Sequence, residues 1–377
     1  MNERKIALVL SGGGSRGAYQ CGVWQALSEL GIKIDIVVGV SVGAINGAMV
    51  VQGDVVKTTN LWREMATDMV FDVDADAQIQ DFAKEFVVNR GAGSTGMQKM
   101  MREYIDEDVV RDSPIEYGLL TVEFPAMKPY YVWKEDIPRG KLYDYITASA
   151  SAFPAVHTHQ INGKDFIDGG YEDNLPVSMA LEKGATEVIA VYLDAIGRFR
   201  PEELEEVPNL TFIKSKWDLG DFLVFDHTNT KRILRIGYLD AMKTFEIYDG
   251  GYYTFAKNEF DKRTLKQADV AAKIFDLDPL ILYRKNGFLE ALEQAVITAN
   301  DDMDLDIDMS LSSLKSFASL GKMKEILKIA NRRTVTLFIA DSLRAKSSDS
   351  IFLSKYARRI LKDEVNAAKF LVNNGLV

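Results

Sequence analysis

Through the first half of the chain, short runs of consecutive apolar residues alternate with stretches of helical periodicity. Ile6-Ala7-Leu8-Val9-Leu10 is apolar at every position and predicts a strand buried on both faces. Residues 18–30 set Val23, Trp24, Leu27 and Leu30 on one helical face, with Gly31 as the stop signal. Residues 34–40 predict a second apolar strand and 44–51 the next helix. Strands apolar on both faces and separated by helices predict an α/β fold in three layers, a mostly parallel sheet covered by helices on both faces. Residues 119–124 and 130–133 predict a strand pair around Pro125 and Pro129, 165–168 the end of another strand, and 187–193 a further buried one. Residues 54–110 are polar and mostly helical, as a cap beside the sheet would be, and beyond about residue 200 the pattern is mainly helical. The expected division is a catalytic core over 1–200 with the cap inserted at about 54–110, a mainly helical continuation over 201–300, and a basic helical extension over 301–377.

Three constellations carry chemistry. Gly12-Gly13-Gly14-Ser15-Arg16-Gly17 lies between the first strand and its helix. It satisfies the G-x-G-x-x-G spacing of dinucleotide sites, which also require an acid at the end of the second strand. Asp35 stands instead at that strand's start, so the nucleotide reading loses ground. Backbone N–H groups of a glycine-rich turn at a helix N-terminus stabilise any developing negative charge, an oxyanion included; a tight turn with no ligand is the plainer reading. Gly39-Val40-Ser41-Val42-Gly43 ends the second apolar strand. G-x-S-x-G at a strand-to-helix turn is a nucleophile elbow, with Gly39 and Gly43 permitting the bend that projects the Ser41 hydroxyl. Asp168-Gly169-Gly170 closes a third strand; it reads either as a turn aspartate capping its own backbone or as the base a nucleophilic serine needs. His157 and His159 fall at a loop edge, and the order serine, acid, histidine would leave His227 as the one triad candidate. The alternative is a dyad in which Asp168 takes the Ser41 proton directly.

Together these blocks resemble the patatin-like phospholipase family, which carries a G-G-G-x-[RK]-G loop, a G-x-S-x-G nucleophile and a D-G-[GA] acid in this order. Ala148-Ser149-Ala150-Ser151-Ala152-Phe153-Pro154 is similar to the family's A-S-x-A-x-P block, and Asn174-Leu175-Pro176-Val177 to its N-x-P-[VA] continuation. The resemblance covers about residues 5–195. It implies a patatin-like sheet and an acyl-hydrolase working without histidine, with Ser41 as nucleophile, Asp168 as base and backbone N–H groups around Gly13 and Gly14 as the oxyanion hole. Arg16 would shape that loop or face a lipid phosphate. The implied substrate is a phospholipid, lysophospholipid or other lipid ester, and no metal or other cofactor is expected. The rivals are an esterase or thioesterase for small soluble esters and, from another class, a non-catalytic protein holding a phosphate or nucleotide on the Gly loop.

Composition narrows the field further. The 377 residues are 47% hydrophobic and 27% charged, an ordinary globular balance. A net charge of −10 argues against nucleic-acid binding by the whole chain. Three histidines and one cysteine rule out a His-rich metal site and an intramolecular disulfide framework. Cys21 reads as a small buried thiol, Trp24 and Trp62 as core, and the Tyr248-Asp249-Gly250-Gly251-Tyr252-Tyr253-Thr254-Phe255 segment as a turn rather than an acyl-chain loop. No apolar run reaches the ~18 residues of a membrane span. Arg4 and Lys5 precede only five apolar residues, fewer than the ~7–15 of a signal peptide, so a cytoplasmic protein is expected. Residues 311–377 hold 13 Lys and Arg against 5 Asp and Glu, a balance of +8, which leaves −18 on residues 1–310. A basic amphipathic helix over 351–372 is expected to fold back on that acidic body; peripheral contact with an anionic membrane is the other reading. The acidic run at 301–308 lacks the glycine and glutamate of an EF-hand loop and reads as a solvated linker.

Overall fold

The computed structural model describes residues 4–71, 92–305, 331–345 and 359–377, which fall into two compact units, Met1–Thr244 and Phe245–Val377. One mixed sheet organises the first unit. Its strands are β1 (Ile6–Leu10), β2 (Ile36–Gly39), β3 (Glu116–Phe124), β4 (Lys128–Trp133), β5 (His159–Ile161), β6 (Lys164–Asp168), β7 (Glu187–Tyr192) and β8 (Leu210–Lys214). Five of them, in the order β3, β2, β1, β7, β8, run parallel, while β4, β5 and β6 pair antiparallel. This is the mostly parallel α/β sheet that the apolar runs predict.

Both faces are covered, which is why β1 and β2 carry no polar residue. Ala7, Val9, Ile36, Val38, Val188 and Ala190 share a buried cluster with Val177, Met179 and Ala180 of the helix Val177–Glu182. Alternate residues face the other way. Val37 and Tyr117 approach Gly47 of α2 (Val42–Gln52) so closely that a Cβ there would lie 3.1 Å from each, and the Tyr117 hydroxyl donates to Ala44 O at 2.7 Å. Helix α1 (Gly17–Glu29) follows the Gly loop, and α3 (Val55–Glu64) packs against α1 and α2.

The register of β3 creates the site. β2 pairs with residues 116–119 and β6 with residues 121–124, whereas β4 takes 118–123 along the opposite edge. β2 and β6 therefore share one edge of β3 and run toward each other. Their C-terminal ends meet across Leu120, two residues from Ser41 on one side and at Asp168 on the other.

Two sequence expectations change. The region beyond 200 is less exclusively helical than its pattern reads, because β8 extends the sheet. β8 is an edge strand in which Ile213 alone is buried, so it lacks the continuous apolar run of its neighbours. The 301–308 segment is not a linker from its start, since the helix Lys285–Leu305 runs through its first five residues; 306–308 lie outside the described residues.

In the second unit, Tyr253 and Phe255 are buried, and Phe255, Phe260, Phe288 and Phe370 pack edge to face. The 248–255 segment thus supplies core. In the expected 351–372 helix, residues 351–358 lie outside the described residues. The helix Lys362–Asn373 buries Val365, Ala368, Phe370 and Leu371 within its own unit. The 72–91 part of the expected cap lies outside the described residues as well.

Candidate active site

Ser41 stands between β2 and α2 with φ 57° and ψ −129°, a left-handed conformation that costs a non-glycine residue on the order of 1–3 kcal/mol. The turn is tight on both sides of it. A Cβ on Gly39 would lie 2.1 Å from Gly43 O, and one on Gly43 2.2 Å from Leu10 O, so neither position admits a side chain. Asp168, 7% exposed at the end of β6, accepts from the Gly170 N–H at 2.8 Å and lines the same cavity as Ser41. Burial lifts its pKa to about 6, against the lowering effects of the Ser41 side chain and the Gly170 N–H. A carboxylate poised near neutrality beside a hydroxyl is the arrangement proton transfer requires.

The Gly loop crosses the end of β1 facing Ser41. Gly13 and Gly14 N–H groups have no hydrogen-bond partner among the described residues, and the N-terminus of α2 adds its partial positive charge at Ser41. Arg16 is spent on shaping this loop. Its guanidinium donates to the carbonyls of Gly220 at 2.8 Å, Asp194 at 2.7 Å and Leu193 at 3.3 Å. The Ser15 N–H donates to Phe222 O at 2.8 Å. Gly14, at φ +56°, passes so near that a Cβ would sit 1.9 Å from Phe222 O. Gly14→Ala is therefore expected to displace the loop and slow phosphonylation of Ser41 by about 10²-fold, the usual effect of losing one oxyanion donor, read as the labelling rate with a fluorophosphonate.

Ser149 and Ser151 tie the two halves together. Ser149 Oγ accepts from Ser41 N–H at 3.1 Å and donates to Leu120 O at 2.7 Å, bridging the gap where β2 and β6 meet. Ser151 O accepts from Asp168 N–H at 2.8 Å. Ser149→Ala leaves the Ser41 N–H without an acceptor and is expected to cost about 1–3 kcal/mol of stability, measurable by denaturant unfolding. A second buried network, Trp62 Nε1 to Asn46 Oδ1, Asn46 Nδ2 to Gln20 Oε1 and Gln20 Nε2 to Ser11 O, fixes α1, α2 and α3 under the turns.

A cavity of about 330 Å³ opens from Ser41 and Asp168 between apolar walls of Ile45 and Met49 from α2, Met65, Val70 and Phe71, Met97 and Met100, and Phe222 and Phe225. Trp62, expected as core alone, is 2% exposed and also lines this cavity. None of the three histidines does. His227 begins a helix with its ring at Arg63 O, His159 faces Asp144, and His157 lies on the surface. Asp35 accepts from Ile6 N–H at 2.8 Å, at the end of the sheet away from the Gly loop. Cys21 is buried, with its thiol pushed up to about 12. Such a site can pass a serine proton to a carboxylate, hold an oxyanion on backbone donors and bury a long apolar chain, which are the needs of acyl transfer.

Comparison with known proteins agrees in kind. Residues 8–181 match the family model described as patatin-like phospholipase. Mouse "Patatin-like phospholipase domain-containing protein 7" is 30% identical over 194 residues, 49% of this chain and 13% of its own length. "Lysophospholipase NTE1" of Saccharomyces cerevisiae is 27% identical over 263 residues, 65% of this chain and 14% of its own. The chain thus spans well under a fifth of these relatives. The crystal structure of VipD from Legionella pneumophila aligns over 100% of this chain and 92% of its own at 13% identity, with a TM-score of 0.40. Among the described residues no helix is long and apolar enough to cross a membrane.

Proposed function

This chain carries a patatin-like phospholipase domain over residues 8–181, and from that premise we propose that it is a serine acyl-hydrolase releasing fatty acids from phospholipids, lysophospholipids or related lipid esters. The observation that carries the reading is that Ser41, on its strained turn, and the buried Asp168 carboxylate line the same apolar cavity as the Gly loop.

The reaction runs in two halves. Asp168 accepts the Ser41 proton as Oγ bonds to the ester carbonyl carbon, and the carbonyl oxygen takes the electron pair beside the Gly13 and Gly14 N–H groups. Collapse of this intermediate breaks the carbon–alkoxy bond, and Asp168 returns its proton to the departing alcohol. Water then attacks the acyl-serine, gives its proton to Asp168, and the second collapse frees the fatty acid while Ser41 recovers its hydrogen. Asp168 must be ionised to begin, so kcat/KM is expected to rise through about pH 6. Arg16, engaged by three carbonyls, holds the loop rather than a phosphate.

The test is fluorophosphonate labelling of wild type, Ser41→Ala and Asp168→Asn, with fatty-acid release from mixed phospholipid vesicles and turnover of p-nitrophenyl butyrate. Labelling at Ser41 with fatty-acid release supports the reading. Turnover of the butyrate alone would make the protein a small-ester esterase, and a folded wild type that neither labels nor turns over either substrate would end the hydrolase reading.

A further inference from the structure

One amide in the cavity wall has a donor with nothing to donate to. Asn174 is 1% exposed and lines the cavity; its Oδ1 accepts from the Gly12 N–H at 3.1 Å, and its Nδ2 is buried without a hydrogen-bond partner. An unpaired buried amide donor costs about 1–3 kcal/mol, a cost that an apolar residue of similar size would avoid.

The amide is held next to the reacting groups. A Cβ on Gly12 would lie 2.5 Å from Asn174 Oδ1 and 3.0 Å from Ser41 Cβ, and a Cβ on Gly170 would lie 2.8 Å from the same Oδ1 and 3.1 Å from Asp168 Oδ1. The side chain therefore fits between the Gly loop and the acid turn only because both neighbours are glycine. Its backbone is fixed too, with the Asn174 N–H donating to Arg198 O at 2.7 Å. Gly197 presses on its other side, where a Cβ would meet Asn174 Cβ and Cγ at 2.9 Å. An amide so confined cannot turn away to find another acceptor.

We propose that Asn174 is a further catalytic residue of this site, whose Oδ1 orients the Gly loop while its Nδ2 donates to the ester oxygen that gains charge as Ser41 attacks. The assignment rests on the acyl-hydrolase reading above and adds a side-chain donor to the two backbone donors. A donor satisfied only by bound substrate contributes more in the transition state than in the ground state, because the charge on its acceptor grows.

Asn174→Asp keeps an oxygen for the Gly12 N–H and removes the donor; Asn174→Ala removes both and serves where the aspartate variant fails to fold. For each variant shown folded by its thermal transition, kcat for p-nitrophenyl butyrate and the fluorophosphonate labelling rate, both on the high-pH plateau, are expected to fall about 10²–10³-fold. KM is expected to stay within about threefold, the signature of an interaction made in the transition state. A folded variant that keeps wild-type kcat and labelling, or that loses only KM, overturns the assignment while leaving the hydrolase in place. A wild type with no labelling and no turnover removes both.

Discussion

Ser41→Ala is expected to abolish fluorophosphonate labelling and to lower ester turnover by about 10⁴–10⁶-fold, the scale on which a catalytic serine acts as one unit with its base. The chain's single cysteine is no substitute. Cys21 is buried and does not line the cavity, and a thiol held up at about 12 supplies almost no thiolate at neutral pH. The backbone of Ser41 makes a second comparison informative. Alanine retains the penalty of φ 57°, whereas glycine adopts that conformation freely. Ser41→Gly is expected to be as inactive as Ser41→Ala yet more stable by about 1 kcal/mol, a difference of a few degrees in Tm. Equal stabilities would mean that the elbow is relaxed, and retained labelling in either variant would remove Ser41 as nucleophile.

Asp168→Asn is expected to separate activity from stability. Loss of the base should reduce kcat by about 10²–10⁴-fold, with the asparagine still able to accept from the Gly170 N–H. The stability effect has the opposite sign. The folded carboxyl titrates near 6 rather than at its ordinary 3.8, so the native state binds this proton more tightly than the unfolded chain does. That contribution is fully present below about pH 4 and is lost as pH rises through about 6, which amounts to about 3 kcal/mol. Asparagine carries no such penalty. The Tm of Asp168→Asn minus that of wild type should therefore increase between about pH 4 and pH 6.5 and then level off. A gap independent of pH would mean that Asp168 is solvated in the folded protein. A variant of full activity would assign the base elsewhere.

The parts of this site legible in sequence are those whose function demands an unusual local pattern. An apolar strand ending in Gly39-Val40-Ser41-Val42-Gly43 reads as an elbow because few other purposes need two glycines at that spacing, and the close approaches at Gly39 and Gly43 explain the need. β1, β2 and β7 read as buried strands because both faces of the sheet are covered. β8 escaped because an edge strand buries so little of itself. Ser149 and Asn174 lie in blocks recognised by resemblance, but nothing local marks their tasks. Ser149 meets Ser41 across 108 residues and Asn174 meets Gly12 across 162, so their roles exist only once β2 and β6 have met along β3. Arg16 was legible as important and ambiguous as to why, because a guanidinium serves carbonyls and phosphates equally well.

The cavity walls extend past the stretch that matches the family. Ser41, Asp168, the Gly loop and Asn174 all lie within 8–181, whereas Ala195, Ile196, Phe222, Leu223 and Phe225 come from beyond it. Under the assignment proposed above, the reacting groups lie wholly within the matched stretch, while the wall that meets the substrate is shared between it and a downstream segment. A combinatorial library confined to those five positions would vary the shape presented to the acyl chain or the leaving alcohol while every reacting atom kept its support. Part of the substrate wall can then be rewritten in a downstream segment alone, and the limit on it is the loop Arg16 holds, since Gly220 and Asp194 must keep their places for the oxyanion donors to keep theirs.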